Sequence, residues 1–170
     1  MTKALLVAPF LFLASPLLAQ SSGFLDAARD AYAAAWDVSP LVIEGAAFVT
    51  RPAEIAGDYE LRETDAFDPG EPLLIYAEPK AYGYLETEEG KEFGVVLDLE
   101  VLSEEGTSLL QQEEFQTIRL RSQAEVKEMF LNITLNLSGF TPGAYQVLIR
   151  AHDIASDESA EFTLPFTVNG

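Results

Sequence analysis

The chain has 170 residues, of which 28 are Asp or Glu, 10 are Lys or Arg, one is His and none is Cys, giving a formal net charge of −18. A surface this acidic repels nucleic-acid phosphates, and the lack of thiols excludes disulfides, Cys-based zinc or iron–sulfur sites and thiol nucleophiles. A hydrophobic fraction of 48% is too high for a disordered chain and predicts one acidic globular domain.

Residues 1–19 read MTKALLVAPFLFLASPLLA. One positive charge at Lys3 precedes a short apolar stretch, then Ser15-Pro16 and a small-residue exit at Ala19, the pattern of a secretory signal peptide. Pro9 and Pro16 cut the apolar run below the ~20 residues that a spanning helix needs. Cleavage after Ala19 is expected, leaving Gln20 at the mature N-terminus, with no membrane span afterwards. Export without cysteines fits a bacterial periplasm or the medium beyond it, where a domain of roughly 150 residues can build a self-sufficient core. Two sequons, at Asn132 and Asn136, then read as polar residues on one face of a strand.

Residues 20–52 are expected to form a helix and a first strand. Phe24, Ala28, Tyr32 and Trp36 recur at every fourth position with Leu25 beside them, one stripe of a short amphipathic helix and an expected docking face, and Ser39-Pro40 stops it. After Pro40 the period changes to two. Phe93, Val95, Leu97, Leu99 and Val101 alternate with polar residues; so do Met129, Leu131, Ile133, Leu135 and Leu137, then Tyr145, Val147, Ile149 and Ala151, then Phe162, Leu164, Phe166 and Val168. Turn residues separate these runs at Gly57-Asp58, Asp68-Pro69-Gly70, Glu89-Gly90, Glu105-Gly106, Pro142-Gly143 and Ser156-Asp157. The pattern predicts an all-β, seven- to eight-stranded antiparallel sandwich over 58–168. Pro165, on the outward side of the last strand, marks an edge.

The stretch 137–151, LSGFTPGAYQVLIRA, resembles a fibronectin type III or immunoglobulin-like corner: a hydrophobic residue, a Pro-Gly turn and a Tyr leading into an alternating strand. The closing run FTLPFTV at 162–168 is similar to the last strand of such domains, and together with FDPGEPLLIY at 67–76 it resembles exported bacterial proteins carrying an Ig-like domain. The resemblance implies a tyrosine corner in which the Tyr145 hydroxyl bonds back to the preceding backbone. It implies no activity, because the fold serves many functions.

No catalytic constellation is evident. His152 is the only histidine and Asp153 is its neighbour, but adjacent residues on a strand point to opposite faces, so the pair should diverge and His152 reads as a sheet-face residue without a partner. Gly90-Lys91 is followed by Glu92 rather than Ser or Thr, which fails the phosphate-loop pattern. A single His also rules out a multi-histidine copper carrier. Oxygen ligands suit calcium, and the acidic turn with Asp153, Asp157 and Glu158 is its best location, although such turns are ordinarily just solvated. No cofactor is therefore expected, with calcium there as the one alternative. Three of the six tyrosines fall within 76–84, and Tyr82 and Tyr84 with Glu78 form the candidate ligand-binding set. Tyr82, between Pro79 and Gly83, is expected to face water, whereas Tyr76 is expected to be tied into a sheet.

These features point first to a non-enzymatic, exported binding or interaction module meeting a protein or glycan of the cell envelope. A structural accessory subunit recruited through the helix is the alternative, and a small carbohydrate-active enzyme is third. Tyrosine accessibility separates the first two. Exposed rings favour ligand binding; buried rings leave the helix or a sheet edge as the contact surface.

Overall fold

The computed structural model describes residues 20–170, with side chains from residue 23 onward; the expected leader, 1–19, lies outside the described residues. The chain divides between Ala35 and Trp36. The alanine-rich segment forms helix α1 (Gln20–Val38), on which Phe24, Leu25 and Tyr32 are 78%, 61% and 52% exposed while Trp36 is buried. Among the described residues no helix is long and apolar enough to cross a membrane.

From Trp36 onward the protein is all-β, with nine strands rather than seven or eight. They are β1 (Val42–Phe48), β2 (Ala66–Phe67), β3 (Pro72–Lys80), β4 (Leu85–Thr87), β5 (Gly90–Ser103), β6 (Ser108–Ser122), β7 (Leu131–Asn136), β8 (Gly143–Asp153) and β9 (Ser159–Val168). One sheet has the order β1-β3-β7, and the other runs β2-β9-β8-β5-β4 with β6 also on β5. The first strand therefore belongs with the sheets, since β1 pairs antiparallel with β3. The short β2 runs parallel to β9, through Ala66↔Thr167 and Phe67↔Val168, so the pairing is not wholly antiparallel.

The alternating runs face the core. Val95, Leu97, Leu99 and Val101 on β5 and Val147, Ile149 and Ala151 on β8 are buried against Leu73, Ile75 and Ala77 of β3 and Leu131, Ile133 and Leu135 of β7. A smaller cluster covers the other side of β3, where Tyr59 stacks on Tyr76 at 4.2 Å between ring centroids. Asn132 clamps this layer: its Oδ1 accepts from the Ala53 N–H and its Nδ2 donates to the Ala53 carbonyl, both at 2.9 Å. Tyr145 donates to the Thr141 carbonyl at 2.8 Å, the back-bond of a tyrosine corner. Pro165 stands opposite Gln146, and the other side of β9 is paired to β2 only at Thr167 and Val168, so the missing N–H leaves no ladder position empty.

Candidate functional site

The tyrosine segment is built around a sharp turn. β3 ends at Lys80, and Ala81 takes a left-handed φ of 60° that swings Tyr82 inward. Tyr82 is 1% exposed, which corrects the expectation that it faces water. Its ring stacks on Phe93 at 5.4 Å and meets Trp36 edge-on at 4.9 Å. Its carbonyl accepts the Trp36 indole N–H at 2.9 Å. The hydroxyls of Tyr82 and Tyr84 both donate to the Val126 carbonyl at 2.6 Å. The Lys127 ammonium lies 4.6 Å from the Trp36 ring centre and 5.6 Å from that of Tyr84, a cation–π clasp on the outside of the cluster.

The acidic turn lies beside this segment. Gly83 donates its N–H to Asp153 Oδ2 at 2.8 Å, and the same carboxylate accepts from the Ser156 hydroxyl and the Ala155 N–H. A Cβ on Gly83 would come within 3.1 Å of both Ala155 Cβ and Asp153 Oδ2, so any larger residue there would push on the turn by a few tenths of an ångström. Tyr82, Tyr84, Asp153 and Glu158 thereby line one cleft of about 370 Å³, together with Asp37, Glu86, Glu125 and Lys91. Two sets read separately in the sequence come together here, but as a joint. The rings of Trp36 and Tyr82 are in the core, and the buried Asp153 carboxylate is already occupied by protein donors. Asp157 does not line the cleft. Among the described residues there is no group of three or more His, Cys, Asp or Glu able to hold a metal, so Asp153, Asp157 and Glu158 do not converge as calcium ligands would.

Glu78 lies outside this cleft. It accepts from the Tyr76 hydroxyl and from Lys80, and Tyr76 in turn accepts the Gly57 N–H at 2.7 Å. Burial pushes the Tyr76 hydroxyl up, and its bond to Glu78 adds to this, to about 12. For Glu78 burial also acts upward, but hydrogen bonds from Lys80 and Tyr76 outweigh it and hold its carboxyl below the usual value. This is a structural bracket on the outer side of β3.

His152 diverges from Asp153, as strand geometry requires, but it does have a partner. Its Nε2 lies 2.8 Å from Asp98 Oδ2, with the side chains 43% and 25% exposed. Asp98 Oδ1 accepts the Glu114 N–H at 2.9 Å. That amide lies in a bulge of β6, where residues 113–115 face Asp98 alone and Glu114 has φ 49°. Burial acts to raise the Asp98 pKa, and the Glu114 N–H and His152 together overcome it and hold the carboxyl low. The sequence hid this pair because the residues are 54 positions apart and meet only through the β5–β8 register, in which Asp98 faces Arg150.

The rings of Tyr76 and Tyr82 are buried and that of Tyr84 is half-buried, whereas a long strand edge is exposed elsewhere. Strand β6 is 15 residues long and pairs with β5 and, among the described residues, with no other strand. It exposes Leu109, Leu110 and Leu120 by 53%, 39% and 40%. At its start Leu109 and Leu110 join Asn136, Ser138, Phe140 and Tyr145 around a groove of about 450 Å³ that has no charged residue in its lining.

No family model and no curated protein matches the chain. Among solved structures it is similar to the sporulation control protein Spo0M of Bacillus subtilis, at 10% identity and a TM-score of 0.44, covering 78% of this chain and 51% of that one. It is also similar to a family 123 glycoside hydrolase from Clostridium perfringens, at 12% identity and a TM-score of 0.42, covering 75% of this chain and 28% of that one. A CARDB domain from Pyrococcus furiosus, solved in complex with di-metal ions, gives 10% identity and a TM-score of 0.37, covering 76% of this chain and 91% of that one. The chain spans about half of the first of these proteins and under a third of the second. Likeness at this level transfers no substrate, metal or partner.

Proposed function

We propose that this is an exported, non-enzymatic interaction module of the bacterial periplasm or cell envelope, built as an Ig-like sandwich, that meets its partner along the β6 edge. The observation that carries this reading is the long strand paired on one side, with three exposed leucines and an uncharged groove at its start. An edge strand can take up a segment of another chain through its backbone groups, and the glutamates and bulge at 113–115 guard the later part of β6, which leaves the uncharged residues 107–112 as the stretch open to a partner. The tyrosine corner at Tyr145 and the Pro-Gly turn before it support the Ig-like assignment.

The test compares the mature protein with its Leu110→Asp variant, each immobilised and exposed to soluble envelope fraction. A protein retained by the first and lost from the second supports the reading. Equal retention by both, or retention by neither, contradicts it. The exposed Phe24 and Leu25 on α1 favour a second reading, an accessory subunit recruited through its helix. Phe24→Asp would then abolish retention where Leu110→Asp does not.

A further inference from the structure

We infer that the groove at the start of β6 receives an apolar side chain from an extended, basic segment of a partner protein. This rests on the interaction-module reading above and specifies the partner's chemistry. Three features of the groove carry it.

The first is the shape of the strand. Val101 pairs with Leu110 and Leu102 with Ser108, so Leu109 is one residue too many and forms a bulge. A bulge re-aims side chains that would otherwise alternate. Leu109 and Leu110 accordingly both line the groove, although they are consecutive on a strand. Phe140 and Tyr145, crossed edge to face at 5.3 Å, supply aromatic surface to the same lining. At about 450 Å³ the groove has room for a large apolar side chain, and seating one would remove both half-exposed leucines from water.

The second feature is charge. The lining carries no charge in a chain whose formal net charge is −18. The six residues at 107–112, all exposed and uncharged, are bracketed by exposed Glu104 and Glu105 on one side and Glu113 and Glu114 on the other. Six residues of extended chain span roughly 20 Å. A segment lying along them meets carboxylates at both ends and an apolar site between, which selects basic flanks around an apolar anchor.

The third feature excludes the simplest alternative. If a second copy of the chain paired over 107–112, whether antiparallel or parallel, it would set glutamates against glutamates at both ends. Like charges opposed across strands are destabilising, so the occupant is a different, cationic chain. The bulge that Asp98 holds at residues 113–115, with Glu114 in the left-handed region, ends the regular edge and confines docking to its first part.

The probe is the fluorescein-labelled peptide Lys-Lys-Thr-Val-Thr-Leu-Thr-Val-Lys-Lys, titrated with the mature protein by anisotropy. Its controls are the same peptide with Glu for every Lys, and the same peptide with Ser for Val and Leu. The Lys-flanked apolar peptide should bind at least about tenfold more tightly than either control, and more weakly at about 300 mM than at about 50 mM NaCl. Leu109→Ser and Leu110→Ser, each checked for an unchanged urea midpoint, should each lose about tenfold in affinity, whereas Leu120→Ser at the far end of the strand should not. Equal binding of the all-polar Lys peptide would overturn the inference, as would indifference to both leucine variants. Binding of none of the peptides would overturn it too. If Leu110→Asp still abolished retention of an envelope protein in that case, the edge reading would stand and only the partner chemistry would fall. A dimer of the intact protein in sedimentation, lost on Leu110→Ser, would assign the groove to a second copy and also overturn the inference.

Discussion

Tyr82 and Tyr84 share one acceptor, and that makes their hydroxyls interdependent. Both donate to the Val126 carbonyl at 2.6 Å. Tyr82→Phe removes one donor but leaves the carbonyl satisfied by Tyr84, so it should cost no more than about 0.5–1 kcal/mol, and Tyr84→Phe should behave alike. The double variant strips the carbonyl of both hydroxyls and should cost about 1 kcal/mol more than the sum of the single changes. Tyr82→Ala is a different perturbation. It removes a ring that is 1% exposed, stacked on Phe93 and crossed edge-on with Trp36, a change expected to cost about 3–5 kcal/mol. Urea unfolding followed by circular dichroism gives all four values, and the fluorescence of Trp36, the only tryptophan, tests whether the local and global transitions coincide. Additive single effects would refute the shared acceptor. A loss below about 1 kcal/mol for Tyr82→Ala would refute the buried ring and restore the exposed-tyrosine expectation.

Tyr145→Phe should lower stability by about 1 kcal/mol through the lost bond to Thr141 and leave the fold intact, as judged by the denaturation midpoint. The Tyr76 hydroxyl, raised from 10.0 to about 12, contributes stability that is fully present below pH 10 and lost as pH rises toward 12; at about 1.4 kcal/mol per tenfold in proton affinity this approaches roughly 3 kcal/mol. Tyr76→Phe should flatten that alkaline loss in melting curves. Asp98 works in the opposite sense, because a carboxyl held below its ordinary 3.8 stabilises the fold above that pH and loses the contribution as pH falls through the lowered value. Asp98→Asn should therefore reduce the acid sensitivity of the melting temperature and speed hydrogen exchange at the Glu114 amide.

The strands whose two faces differ most in polarity were legible from the chain alone. On β5, β7, β8 and β9 one face is core, and the period-two pattern gave their inward residues and, through the Pro-Gly turn, the Tyr145 corner. Strand β6 gave no such signal: Gln112 and Gln116 occupy inward register positions opposite Leu99 and Leu97, and two bulges break the alternation. Strand β2 is two residues long and takes its identity from β9, not from its own sequence. Pro79 misled the reading of the tyrosines, because a proline suggests the end of a strand. Strand β3 continues through it because the β7 ladder stops at Ala77↔Leu131, leaving Pro79 paired with Ile43 on the other side. The turn into the core then comes later, at Ala81. The His152–Asp98 pair and the joint between Tyr82, Gly83 and Asp153 depend on register and on backbone close approach, neither of which composition or local spacing encodes.

The proposed contact surface is the β6 edge and its groove, and not the tyrosine cleft or the helix. Backbone chemical-shift mapping of labelled protein spanning residues 20–170, with a partner captured on the immobilised protein, is the test. Perturbations should centre on Leu109, Leu110, Phe140 and Tyr145 and fade beyond Glu114. Perturbations centred on Tyr84 and Glu158, or on Phe24 and Leu25, with the start of β6 unmoved, would contradict it.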